Sequence, residues 1–558
     1  MLKKCILGVR TNLYYTLKKS YKKASYYTLM GLLIILFVVS CTPSSPNYVQ
    51  APFSGLDVFS TNDWWNREAN EIINLKVPRE EVVAFGIYTT ANDKLKLTAQ
   101  LFPLYPEETR EVRLAFFQEG EWKEVAKQNV NELGWSTTFE IEGWDQQQEV
   151  RYKLLHSNQA SFEGLIRKDP ISKTELAIAA LSCNSNQDRG DRAHYVRNIN
   201  ALDPDLVFFA GDQSYDHKEH TAAWLKFGMQ FREVFRNRPC ITIPDDHDIG
   251  QGNLWGERGK KSLLPEGNDG GYYHHPEYVK MVERCQTSHL PDPFSSLPLE
   301  QGISSYFTSM LLGGLDIAII EDRKFKSGPN GKIPQQGPRP DHIRNPDYDP
   351  NSIDLPELVL LGEEQLNFLD AWGTNQATSD KMRVVLSATG FCGGAHLHGS
   401  LDNRLHADLD SNGWPQMGRK KALTKIKQAN AVHIAGDQHL ATVIQHGINE
   451  FEDGPWAFVV PAIVNDYYSR WWWPENEKAG ENGNSLLPWT GRYLDGFNNK
   501  ITMQAYVNPE STSFGAGFGL IRFNTETRQV TFECWPRTVD VTEASAQQFV
   551  GWPYTISL

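Results

Sequence analysis

Six near-continuous apolar runs, at residues 176–181, 206–210, 240–243, 315–320, 383–387 and 431–435, constrain this chain more than any other feature. Between them lie stretches of helical periodicity at 192–202, 220–236, 363–372 and 419–428. Strands that are apolar along their whole length are covered on both faces, so the pattern predicts an α/β fold with helices flanking a sheet core. It excludes an all-helical body. Polar residues of metal-ligand type follow five of the runs: Cys183-Asn184, Asp212, Asp245-Asp246-His247, Glu321-Asp322-Arg323 and Asp437-Gln438-His439. Loops beyond strand carboxyl ends are where open α/β folds place their chemistry.

The preceding segment reads differently. Short β-runs at 82–89, 95–102, 112–118, 137–141 and 150–156 are separated by turn residues such as Asn92-Asp93, Glu119-Gly120 and Glu142-Gly143. This spacing predicts an all-β sandwich without a ligand cluster, ending near Lys168-Asp169-Pro170. The expected organisation is a leader over 1–41, a tether over 42–75, the β-sandwich over 76–170 and the α/β domain over 171–558.

The leader has a basic lead, an apolar run from Leu29 to Val39 too short to span a bilayer comfortably, and the closing tetrapeptide Val38-Val39-Ser40-Cys41. It reads as an export signal. The tetrapeptide resembles the bacterial lipobox, which makes Cys41 the candidate lipidation site and Thr42 to Pro46 a flexible tether. The expected location is therefore extracytoplasmic, periplasmic or cell-surface, with a lipid anchor in the membrane; the alternative is a transmembrane anchor. The full chain carries a net charge of −13, and the first 41 residues hold seven Lys/Arg and no Asp or Glu, which leaves the remainder at −20. That balance argues against duplex nucleic acid as a partner, because phosphate backbones are gripped by basic surface. Beyond Cys5 and Cys41, five widely spaced cysteines are an odd count that does not form a disulfide framework.

Within the α/β half, Gly211-Asp212-Gln213-Ser214-Tyr215 and Asp245-Asp246-His247-Asp248 carry the chemistry. A carboxylate at a strand end, a phenol three positions on, and a second carboxylate beside a histidine suit a crevice that holds hard cations and a proton donor. Together with Ser182-Cys183, Asp322-Arg323, residues 365–372, Gly413-Trp414-Pro415 with Arg419, and Gly436-Asp437-Gln438-His439, these elements resemble the PhoD-type alkaline phosphatases. That family is a branch of the calcineurin-like metallophosphoesterases. The resemblance spans roughly 176–535 and implies a four-layer αββα core preceded by a β-domain.

The resemblance also implies roles. Asp212 would bridge two metals, Tyr215 would be a phenolate ligand of ferric iron, and Cys183 stands where the wider superfamily has its first aspartate. Asp246 would hold the second metal, and Asp437 and His439 would complete the coordination spheres. Carboxylates at Asp246 and Asp437, where histidine or asparagine is commoner, favour oxygen-preferring cations. The implied centre is Fe3+ with Ca2+, with Zn2+ and Mn2+ as alternatives. His247 would protonate the leaving group, kept charged by a neighbouring acid. Arg323 either holds a phosphate oxygen or braces its loop by an ion pair, and His396 and His398 are further substrate-binding candidates. Trp471-Trp472-Trp473, after Tyr467-Tyr468, would stack on a substrate or pack in the interior.

The implied function is hydrolysis of phosphate monoesters or diesters by a metal-activated water. The alternatives are a nucleotide or phospholipid phosphodiesterase with the same core, or a surface-binding lipoprotein with decayed motifs. Oligomeric state is not legible in these residues.

Overall fold

The computed structural model describes residues 50–465, 469–474, 480–509 and 515–558. The leader with Cys41 and the Tyr467-Tyr468 pair lie outside them. Residues Val49–Leu558 form one compact unit. No helix among the described residues is long and apolar enough to cross a membrane.

Two mixed sheets pack face to face. One has six strands in the order Cys240–Thr242, Leu206–Phe209, Glu175–Leu181, Gly517–Asn524, Gln529–Pro536 and Tyr554–Ser557. The other has eight: Thr308–Leu312, Leu315–Ile319, Met382–Thr389, Ala431–Gly436, Trp456–Val459, Thr442–His446, Lys500–Tyr506 and Gly491–Leu494. Alternate residues of each strand point to opposite faces, and this period of two builds the layers. Ile178, Phe208, Ile521 and Phe532 meet Ile317, Val384, Ile434 and Phe458 in the core between the sheets. Ala179, Leu181, Val207 and Phe209 point the other way, toward the helices Ala193–Leu202 and His220–Phe235. On the far side, Ala318, Ile320 and Val385 pack against the helices Gly362–Gly373 and Gln416–Gln428. The result is the expected four-layer αββα core.

Residues 83–166 form two antiparallel sheets. One comprises Val83–Ala91, Lys94–Leu101 and Ser136–Glu142; the other comprises Glu121–Asn129, Glu111–Gln118, Val150–His156 and Ala160–Ile166. Phe85, Ile87, Leu95 and Leu97 share a continuous core with Trp224, Phe227 and Phe231 of the His220–Phe235 helix. Gly228 lets Phe85 lie against that helix, since a Cβ there would meet the Phe85 ring at 1.8 Å.

Candidate metal centre and its cavity

Asp212 follows the Leu206–Phe209 strand through Ala210 and Gly211. Gly211 has φ +102°, and a Cβ there would meet Asp245 Cβ at 2.5 Å, so glycine is required for the two loops to approach. Cys183 (φ +57°), Asp212 (φ +56°), Asp437 (φ +66°) and His439 (φ +50°) all adopt the left-handed conformation just past strand ends. Non-glycine residues held there carry strain, which clusters at functional sites.

The Asp212 and Asp245 loops are tied together by Asp248. Its carboxylate accepts from the backbone N–H groups of Asp212 at 2.8 Å, Gln213 at 3.0 Å and Asp245 at 3.0 Å. Asp245 caps the short Asp246–Ile249 helix, with Asp248 completing a capping box. Asp248 accepts from these backbone groups and from Gln286 Nε2, whereas ligand atoms of Asp212, Asp246 and His247 lie within 4.8 Å of one another. The group against His247 Nδ1 is His217 Nε2, at 2.5 Å. Burial, with His217, His439 and Arg323 close by, pushes the His247 imidazole well below the usual histidine range.

Ligand atoms of Cys183, Asp212 and His439 lie within 4.8 Å of one another. Tyr215 Oη donates to Asp212 Oδ2 at 2.6 Å and lies 2.9 Å from His439 Nε2. Asn465 Oδ1 stands 3.2 Å from His439 Nδ1 and orients that ring. Asp212, Asp245, Asp246 and Asp437 form a second group, also within 4.8 Å. Asp212 belongs to both. The six residues anticipated as ligands are therefore brought together.

This donor set fits metal ions. Burial and mutual repulsion push Asp212, Asp245 and Asp246 well above the carboxylate range, and burial pushes Asp437 up to about 7 against the opposing charge of Arg323. Asp246 Oδ1 is buried without a hydrogen-bond partner. Buried anions crowded so closely need counter-charge, and oxygen donors with a thiol, a phenol and an imidazole are what hard and borderline cations take.

Arg323 supplies part of that counter-charge from inside the protein. Its Nε stands 2.5 Å from Asp245 Oδ1 and its Nη2 stands 3.1 Å from Asp437 Oδ1 and 3.8 Å from Asp246 Oδ1, while Nη1 pairs with Asp410. It is buried, and its guanidinium is engaged by these four carboxylates. Asp322 accepts from the backbone of Ala388 and Thr389 and from Asn412 Nδ2, a structural use.

Asp212, Tyr215, Asp246, His247, Asp437 and His439 line a cavity of about 760 Å³. Its walls include Arg339, His342, Arg344, His398, Asp408 and Arg470. Cys183 sits behind the floor, buried against Tyr215 and Ala462. His396 is not part of this site. It stacks on Trp472 at 5.0 Å, holds the Trp473 carbonyl through Nδ1 at 2.9 Å, and lines a separate cavity of about 490 Å³. Trp471 and Trp472 are buried, so packing rather than stacking on a substrate accounts for them. The five cysteines at 183, 240, 285, 392 and 534 are free and buried. His217, Asp245, Asp248 and His342 were not anticipated as parts of the site, whereas Asp410 belongs to a loop expected near it. Only Asp245 and Asp248 carried a signal, as members of the acidic motif.

The architecture is an α/β fold shared with two solved phosphatases, with a β-rich region beside the core. Among solved structures, PhoD aligns with a TM-score of 0.59 over 85% of this chain and 90% of that one, at 14% identity. The purple acid phosphatase PPD1 from seeds of yellow lupin (Lupinus luteus) aligns with a TM-score of 0.51 over 85% of this chain and 73% of that one, at 13% identity. No family model and no curated protein matches the sequence.

Proposed function

We propose that this protein is a metal-dependent phosphoric ester hydrolase of the PhoD-like alkaline phosphatase kind, acting outside the cytoplasm on small phosphate esters. The observation that carries the reading is the sharing of Asp212 between a thiol–phenol–imidazole group and a carboxylate group on the floor of one cavity. Cys183, Tyr215 and His439 would hold Fe3+, Asp246 and Asp437 would hold Ca2+, and Asp212 would serve both. Such ions, when bound, neutralise phosphoryl oxygens and lower the pKa of a bound water toward neutrality.

The chain's own groups do the rest. Arg323 fixes Asp245 and Asp437 relative to each other, so the floor is set before substrate arrives. His217 holds His247 through Nδ1, which leaves Nε2 as the ring atom that can give a proton to the leaving oxygen. An entering phosphoryl dianion supplies the negative charge that restores a proton to this otherwise neutral imidazole. No covalent phosphoenzyme is needed. The basic leader, short apolar run and Cys41 support export and lipid attachment, by residue pattern alone.

The test is metal content of the purified protein measured alongside hydrolysis of an aryl phosphate monoester and a diester. Turnover that rises with iron and calcium content is expected. A metal-replete protein inert on both esters would remove the hydrolase reading.

A further inference from the structure

A second group of ligand-type side chains stands on the wall of the same cavity and shares no residue with its floor. Ligand atoms of His342, His398 and Asp408 lie within 4.8 Å of one another. Three two-residue strands deliver them. His342–Ile343 pairs with Ala407–Asp408, which sets His342 directly across from Asp408, and Leu397–His398 is pinned to Arg470–Trp471. The two imidazole rings meet edge to face with centroids 5.0 Å apart.

These groups face one another and leave one imidazole nitrogen unsatisfied. His398 Nε2 pairs loosely with Asp408 Oδ2 at 3.3 Å, and His342 Nδ1 is buried without a hydrogen-bond partner. His342 is only 5% exposed. A buried imidazole nitrogen lacking a partner costs free energy, and such costs persist where a ligand repays them. The neighbouring acid Asp341 takes the other ring nitrogen of His342, its Oδ2 standing 3.3 Å from His342 Nε2. It is engaged by Arg339 at 3.0 and 3.1 Å and by Asn253 Nδ2 at 3.0 Å. Asp408 uses one oxygen, Oδ1, to accept from the Asp410 N–H at 3.0 Å, and this orients Oδ2 toward His398.

We propose that His342, His398 and Asp408 form a separate mononuclear cation site of the zinc type, open to the cavity. Two imidazole nitrogens and one carboxylate oxygen are a donor set suited to zinc, and three protein ligands at a cavity wall leave a fourth position for water or an anion. This site does not depend on the floor being a hydrolytic centre. Its consequence is that a substrate carrying a second anionic group would find a cation for it on the wall, remote from the reacting phosphorus.

The experiment is titration of the chelator-stripped full chain with Co2+, read by visible absorption, and with Zn2+, read by competition. The parent is expected to take up one equivalent more than the His342→Gln/His398→Gln double variant, while iron and calcium content in that variant is unchanged. Asp408→Asn is expected to weaken uptake of the same equivalent by roughly tenfold or more. In the unaltered chain, bound Zn2+ is expected to protect His342 and His398 from diethyl pyrocarbonate, read peptide by peptide. Equal stoichiometry and affinity in parent and variants, or labelling of both histidines unaffected by Zn2+, would overturn the proposal. So would loss of the floor metals in the same variants, because the two sites would then not be separate.

Discussion

His217 Nε2 lies 2.5 Å from His247 Nδ1, so the imidazole facing the cavity is held at that nitrogen by another imidazole. His217 is in turn anchored through its carbonyl, which accepts from Tyr278 Oη at 3.1 Å. His247→Ala is expected to keep both floor metals and to lose roughly 10²- to 10⁴-fold in kcat on esters with poor leaving groups, the usual scale for general-acid help. The loss should shrink for an activated aryl ester. His217→Ala should produce a smaller loss of the same leaving-group dependence with little change in KM. Steady-state kinetics on an alkyl and an aryl phosphate check both, and equal losses on the two esters would reassign His247.

Tyr215 Oη bonds Asp212 and approaches His439, which places the phenol among the Fe3+ candidates. A phenolate on ferric iron gives a visible charge-transfer band. Tyr215→Phe is expected to abolish that band while leaving the circular dichroism spectrum unchanged. Iron-loaded parent protein without any such band would show that Tyr215 is not a ligand.

Arg323 is surrounded by Asp245, Asp246, Asp410 and Asp437, all of them buried or nearly so. Removing one partner of a buried ionic network leaves uncompensated charge, with a cost of about 3–5 kcal/mol. Arg323→Met should therefore lower the unfolding temperature of the metal-free protein markedly. Added Ca2+ should restore much of the loss, because the carboxylates left behind are a better cation site than before. Calorimetry with and without Ca2+ decides this; a variant as stable as the parent without metal would contradict it.

Asp57 supplies the pH dependence most cleanly separated from the metal centre. Its carboxylate accepts from the Thr221 N–H and Oγ at 2.9 Å each, at the start of the His220–Phe235 helix. Burial nevertheless pushes its pKa up to about 7. An unfolded aspartate titrates near 4. Between these values the folded state holds a proton that the unfolded state has lost, so stability falls as pH rises from about 4 to about 7 and then levels off. Asp57→Asn retains an acceptor for Thr221 and removes this contribution. Urea midpoints should favour the variant more at pH 8 than at pH 5, and parallel pH profiles would refute the assignment.

How much of this was legible in the sequence follows from burial. Strands apolar on both faces, such as Leu206–Phe209 and Ala431–Gly436, announced themselves, and the ligands just past them could be read in order. Glu121–Asn129 was missed because its residues are exposed or half-buried on both faces and show no alternation. The insertion of Gly517–Asn524 beside Glu175–Leu181 was also not visible, since it joins segments more than 300 residues apart and leaves no local signature. At the site the same division holds. Asp212, Tyr215, Asp246, Asp437 and His439 sit in motifs, whereas the pairing of His217 with His247 and the convergence on Arg323 depend on side-chain directions set by several loops. Of the two acids flanking His247 in sequence, Asp246 groups with it and with Asp212, while the capping box turns Asp248 toward backbone N–H groups.

The left-handed backbone at Cys183, Asp212, Asp437 and His439 has a consequence for how this centre can drift. A β-branched side chain is strongly disfavoured in that conformation on steric grounds, before any question of coordination arises, while glycine adopts it freely and Asn, Asp and His tolerate it best among the rest. The turn at each strand end therefore works as a filter on vocabulary. Apart from glycine, single substitutions that keep the loops intact are favoured toward residues that can themselves donate to a cation, so the metal preference of the centre can be retuned one ligand at a time without the loops having to be rebuilt.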